Sequence, residues 1–493
     1  MVARAGERAA SLAANEEAKR YFEQAADLAE EPLDRASLDE RAGEMAWLVG
    51  SGETAAAHFE RAIQLFESAD RRHPAARVSA RLAEVRYAEG RIEESIERME
   101  RALDVLSADE PDADYAALVA QLARMCFLRG DLEKASERVE VALDVSESLR
   151  LPVILAQSLM TKAIILISKN RNEECRALLE RALTLALEHD SGLAAVRAYN
   201  NLCELTWQQD RFEEAHQFAA EGLALARKLG VRFFEFFLVG AQLGLRLVTG
   251  QWDEAVVQGE RLLVDLSDDH LRDTPFGAEV LWLVELNVHR GDLDQAAKVL
   301  GDFPGDRLTE ETQVRAAFAM AEAVLLHARG EYARALARGE DAFGARETLG
   351  PSANPVKQGF IWAVESALSL GDLERADQIL ATAESFRPGE VTPSLQAQMQ
   401  RLRSRLAATG GPADPASVEP GFKMAAGMFR ELGMPFWLAV TLLEHGEWLT
   451  GRDRPGEAGP LFEEAGQIFE RLKARPWIER VAVVHRDRMA EAR

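Results

Sequence analysis

Four potential cation ligands fall within six residues at Asp265, Asp268, Asp269 and His270. Carboxylates and an imidazole this close together could hold a divalent cation. Beside a break in the helical pattern, the same residues read rather as a solvated turn and a helix cap. A second histidine–carboxylate string, His445-Gly446-Glu447, lies on a helix whose register already accounts for it. The nine histidines share no spacing. The chain has no H-E-x-x-H helix, no G-x-x-x-x-G-K-[ST] phosphate loop and no G-x-S-x-G elbow. Cys126, Cys175 and Cys203 stand too far apart for a zinc-ligand pattern and fall on apolar helix faces, where a thiol serves as a small hydrophobe. These residues predict no enzyme, no metal and no cofactor. Function is then to be sought in binding surfaces, and those depend on the elements that carry them.

The stretch 118–149 shows what the elements are. Leu118, Leu122, Met125 and Leu128 recur at helical spacing, and Ala123 leaves room for a neighbouring helix. Gly130 supplies a left-handed turn, Asp131 caps a second helix, and Ala135, Val139 and Ala142 line one face of it. The pattern returns every 40 residues or so. Its turn column runs Gly50, Gly90, Gly130, Asn170, Asp210, Gly250, Gly291, Gly330 and Gly371. Asn and Asp are the residues after glycine that best tolerate a positive φ. A small residue recurs in the first helix at Gly6, Gly43, Ala83, Ala123, Ala163, Cys203, Ala323 and Gly446. The second helix repeats as Ala18-Phe22-Ala25, Ala55-Phe59-Ala62 and Ser95-Met99-Ala102, on to Ala458-Phe462-Ala465. About twelve helical hairpins are predicted, stacked into an all-α superhelix.

Composition fits. The balance of 58 Lys+Arg against 82 Asp+Glu gives −24 over 493 residues, which opposes nonspecific binding to nucleic acid or an anionic membrane. The first 30 residues carry Arg4, Glu7, Arg8 and further charges, so no signal peptide is visible. The most apolar segments, 152–168 and 231–249, carry Lys162, Arg232, Glu235 and Arg246 and read as repeat helices. A cytoplasmic protein is expected.

Leu82-Ala83 with Tyr87, then Gly90, Ser95, Met99 and Ala102, resemble the tetratricopeptide (TPR) pattern of small, aromatic, turn and alanine positions. The usual TPR is shorter, so the helices or loops here are extended. The stretches 429–437, 442–448 and 469–477 are similar to the end of bacterial signalling regulators that carry a TPR region after an ATPase module, some with an adenylate/guanylate cyclase domain.

In TPR proteins the first helices line a concave groove, and the column after the small residue faces it. The resemblance therefore implies a groove built by Glu44, Trp47, Glu84, Tyr87, Arg124, Phe127, Glu204, Trp207, Glu285 and Glu365. A ladder of carboxylates beside aromatics suits a protein or peptide partner, in particular a basic one. The plainer alternative pairs these glutamates with arginines of adjacent repeats or leaves them facing water. The run Phe233, Phe234, Phe236 and Phe237 cannot face one way, because neighbours on a helix lie about 100° apart. Burial on both sides of the helix accounts for most of it, with an exposed pair as the competing reading.

Along the chain, 1–230 read as regular repeats and 231–408 as looser ones, where Leu243, Val284 and Val364 replace the small residue. A bend or subdomain seam is expected between 230 and 310, with breaks at 267–275, 303–309 and 350–355. TGGPADPASVEP, 409–420, reads as a linker-like stretch that opposes helix until Val418, and 421–493 as the last repeats and a closing helix. Only five residues precede Gly6, so the first hairpin is either covered by a preceding domain, a partner or a second copy, or frayed. Two functions follow. The first is a non-catalytic binding scaffold or sensor in bacterial signal transduction. The second is the regulatory segment of a nucleotide cyclase or ATPase-type transcriptional regulator whose catalytic domains lie outside this chain.

Overall fold

A computed structural model describes residues 1–108, 110–268, 280–302, 311–411 and 415–491. These residues form an all-α TPR-like superhelix in which consecutive helices pair, from Val2–Ser11 with Asn15–Leu28 to Pro435–Thr450 with Pro455–Leu472, as twelve hairpins. Arg475–Glu491 follows as the last helix. Asp269, His270 and most of the expected breaks at 267–275 and 303–309 lie outside the described residues; at the third, helix ends at Leu349 and resumes at Asn354. In 409–420, helix resumes at Val418.

The turn column owes its shape to backbone conformation. Gly50, Gly130 and Gly250 adopt φ of 84°, 92° and 82°, and Asn170 and Asp210 follow at 55° and 63°. Asp131 caps Leu132–Ser148 by accepting a hydrogen bond from Lys134 N at 3.1 Å. A second set of left-handed residues, which sequence reading did not pick out, closes the return turns: Asp70, Arg150, Asp190 and Lys473. Arg150 is a poor residue for that region. The bond from Leu151 N to Ser146 O at 2.8 Å, the wide bond of a Schellman cap, holds it there.

Hairpins close through size matching. A Cβ on Gly6 would lie 2.9 Å from the Phe22 ring, on Gly43 2.7 Å from Phe59, and on Gly446 2.5 Å from Phe462. Where the small residue is Ala123 or Ala163, the residue sixteen further on is Val139 or Leu179, and all four are buried. Cys126, Cys175 and Cys203 are buried in the same core.

The superhelix winds tightly enough for its second turn to rest on its first. Asn15 Nδ2 donates to Leu229 O at 3.0 Å, Tyr87 Oη to Glu311 Oε2 at 3.1 Å, and Arg475 Nε to Arg290 O at 3.0 Å. Asp210 is the strongest of these links. Its carboxylate accepts from Lys357 Nζ at 2.9 Å, from Ser394 N at 2.6 Å and from Ser394 Oγ at 2.8 Å. Sequence reading gave Asp210 only a turn role. The structure adds a buried ion pair between turns of the superhelix.

Candidate functional site

The first helices of the third, fourth and sixth hairpins, Arg72–Ala88, Ala113–Arg129 and Gly192–Gln208, place Glu84, Tyr87, Arg124, Arg197 and Glu204 toward the interior of the first superhelical turn. The second turn brings Glu311, and Arg232–Thr249 brings Phe233, Phe234 and Phe237. Between them lie two adjoining cavities, of about 190 and 90 Å³. Tyr87, Arg124, Arg197, Phe233 and Phe234 line both.

One wall is aromatic. Phe233 packs edge-on against Phe234 and Phe237 at 5.0 Å each and meets Trp47 at 6.1 Å. Phe234 and Phe236 are buried, while Phe233 and Phe237 are half-buried against the larger cavity. Burial thus accounts for half of the phenylalanine run and an inward-facing pair for the rest.

The opposite wall is charged and poorly compensated. The Arg124 guanidinium sits 5.6 Å from the Tyr87 ring centre, and Arg197 Nη2 reaches only Thr161 Oγ1 at 3.4 Å. Burial and the neighbouring Arg124 charge push the Arg197 pKa down to about 9. Burial raises Glu84 and Glu204 above the usual carboxylate range, and Glu204 accepts from Gln208 Nε2 at 2.8 Å. Burial carries Glu311 up to about 7 against the opposing hydrogen bond from Tyr87. Burial, then the Glu311 charge, pushes the Tyr87 phenol well up. Three further polar atoms along these walls, Gln121 Oε1, Asn201 Nδ2 and Gln208 Oε1, are buried without a hydrogen-bond partner among the described residues. Such atoms are uncommon in folded proteins because each costs its desolvation.

The ten residues of the expected groove do not form one surface. Trp47, Glu84, Tyr87, Arg124, Phe127 and Glu204 line the two cavities. Glu44 is instead held by Arg41 and Arg81. Trp207 is 3% exposed and packs on Trp282 at 5.1 Å. Glu285 is 2% exposed, 3.5 Å from His289. Glu365 is buried against Arg401 at 2.6 Å and against Arg405. The same column therefore points into a cavity in the middle of the first turn and into packed interior further on, because the second turn fills the space that an open solenoid would leave free. Arginines of the neighbouring repeat pair with Glu7, Glu44, Glu365 and Glu447, through Arg41, Arg81, Arg401 and Arg480. Arg197, Asn201 and Phe233 were not among the expected groove residues. The available signal was the spacing of Arg197, Asn201 and Glu204 at i, i+4 and i+7, which puts them on one face of the same first helix.

The family model for the MalT-like TPR region matches residues 77–337. The chain belongs to this family. The matched MalT-like TPR region contains every cavity residue named above except Trp47. Among solved structures, a Rap protein complexed with Competence and Sporulation Factor is similar to this MalT-like chain at 13% identity and a TM-score of 0.53, over 71% of this chain and 98% of that one. Human IFIT1, solved as a dimer with m7Gppp-AAAA, is similar at 15% identity and a TM-score of 0.42, over 80% and 90%. No curated protein matches in sequence. Among the described residues, no helix is long and apolar enough to cross a membrane, and no group of three His, Cys, Asp or Glu side chains could hold a metal ion.

Proposed function

We propose that this TPR-type helical-repeat scaffold is a non-catalytic, cytoplasmic sensor that holds a peptide inside its superhelix, in the cavities between Phe233 and Arg197. The observation that carries this reading is the composition of the walls. The first turn contributes Tyr87, Arg124 and Glu204, and the second contributes Glu311. A ligand touching both turns stabilises the closed winding by its own binding energy. The cavity volumes admit a peptide end and exclude a folded partner. The aromatic wall supplies contact area and the unpartnered amides supply hydrogen bonds, the usual division of labour in a ligand pocket. The similar Rap fold carries a bound factor in its solved complex.

The test is retention of a random pentapeptide pool on the immobilised protein, read by mass spectrometry. Discrete sequences should be enriched and should raise the unfolding temperature. The double substitution Phe233→Ala with Phe237→Ala should lose them. Equal retention by that variant, or no enrichment at all, would overturn the reading.

A second reading, consistent with the match to a MalT-like TPR region and motivated by the resemblance of 429–437, 442–448 and 469–477, makes the same solenoid the sensing arm of a multidomain bacterial regulator of the ATPase or nucleotide-cyclase type. The genomic reading frame upstream of Met1 decides it. A continuous frame encoding an ATPase module supports it, and a stop codon ahead of an independent start rejects it.

A further inference from the structure

Arg124 and Arg197 both line the two cavities, so they stand where the cavities meet. Neither is within ion-pair distance of a carboxylate among the described residues. Arg124 lies against the Tyr87 ring and Arg197 has one long bond, to Thr161. Other arginines of the chain are paired closely, as Arg77 is with Glu40 at 2.8 Å and the fully buried Arg401 with Glu444 at 2.9 Å. The Arg124 charge repels Arg197 and, after burial, helps to lower its pKa, and each guanidinium retains unused donors. The carboxylates that face them are Glu84 and Glu311, and burial shifts both toward their neutral forms. Along the Arg197 helix, Asn201 Nδ2 is buried and unpartnered one turn on, and Gln208, about 16 Å on and 8% exposed, has Oε1 unpartnered.

We infer that the cavity is a carboxylate site, in which Arg124 and Arg197 grip the free C-terminal carboxylate of a short peptide. Asn201 takes up its last amide group, Gln208 takes up an amide several residues before it, and its last side chain lies on Phe233 and Phe237. The chemistry is complementary at each point. A carboxylate accepts charge-assisted bonds from two guanidiniums and relieves their repulsion. An amide carbonyl satisfies Asn201 Nδ2, and an amide N–H satisfies Gln208 Oε1. This sets a preference opposite to that of an acidic groove for a basic peptide, since the binding charge on the ligand is negative. The inference rests on the peptide reading above and adds the sign and position of the recognised group.

The probe is a pair of synthetic random pentapeptide pools without Asp or Glu, one ending in free carboxylates and one in carboxamides. Wild-type protein should retain the free-acid pool at least about tenfold better, as expected when charge-assisted bonds are lost. Arg197→Met should abolish that difference, and Arg197→Lys should restore part of it, with circular dichroism melts confirming that both variants fold. Equal retention of the two pools by wild type would overturn the carboxylate assignment and leave the peptide site standing. Retention of neither pool would overturn both. Inorganic phosphate provides the remaining arm. If phosphate raises the unfolding temperature of wild type but not of Arg197→Met, while free-acid peptides have no effect, the pair is an oxyanion site for another ligand and the peptide carboxylate is rejected.

Discussion

A Cβ on Gly43 would lie 2.7 Å from Cε1 of Phe59, closer than real contacts allow. The glycine and the phenylalanine sixteen residues later are one packing unit. Gly43→Ala should therefore cost about 1–3 kcal/mol by overpacking, seen as a lower midpoint in urea unfolding. Phe59→Leu in the same chain should recover part of that loss, because the two substitutions share a contact and so are not additive. Ala123→Leu and Ala163→Leu, at the same column, should cost about as much. Unchanged midpoints would show the register to be wrong.

Asp210 both makes a left-handed turn and ties two turns of the superhelix together. Asp210→Gly separates these roles, since glycine keeps the turn and removes the acceptor. The buried Lys357 ammonium then loses its partner, a change worth about 3–5 kcal/mol in comparable sites. Small-angle scattering should show a larger radius of gyration, and amides near Ser394 should exchange faster. An unchanged radius would mean that the winding does not depend on this pair.

Acidity should act on the cavity with a definite sign. Glu311 has a folded pKa raised to about 7 from 4.5. The native state therefore holds this proton more tightly than the unfolded chain does. Its contribution to stability is fully present below pH 4.5 and is lost as pH rises through 7, about 3–4 kcal/mol in total. Glu84 and Glu204 are shifted in the same direction. Glu311→Gln keeps an acceptor for Tyr87 and removes the titration. Its unfolding temperature should exceed that of wild type at pH 8 and match it near pH 5. Below pH 4.5 the opposite behaviour takes over, because hydrogen bonds from Arg454 and Lys423 lower Glu419 to about 2, and this stability is lost as pH falls toward that value.

Arg401 is fully buried, donates to Glu365 at 2.6 Å and to Glu444 at 2.9 Å, and stacks 4.9 Å from the Trp437 ring centre. Arg401→Leu leaves two carboxylates to the single Arg405 and should destabilise the chain by about 3–5 kcal/mol. Adding Glu444→Gln to Arg401→Leu should recover part of the loss by removing an unpaired charge. A thermal melt of both variants checks this, and equal destabilisation would show that charge burial is not the cause.

The repeat was legible in the sequence because it rests on local physics. Gly130, Asn170 and Asp210 appear where a positive φ is required, and Gly43 and Phe59 reveal a close helix contact by size alone. These rules act within one hairpin, and 40 consecutive residues contain everything they need. Which face of a helix ends up open does not follow from one hairpin. Glu84, Glu204, Glu285 and Glu365 occupy the same column. The first two face a cavity, Glu285 is sealed beside His289, and Glu365 is clamped by arginines. The difference is made by residues 147 to 224 positions away, such as Lys357 on Asp210 and Glu311 on Tyr87. The pitch of the superhelix brings them together. Pitch accumulates from small rotations at every helix contact, so no single stretch of sequence encodes it, and it alone determines where the second turn covers the first and where a cavity is left.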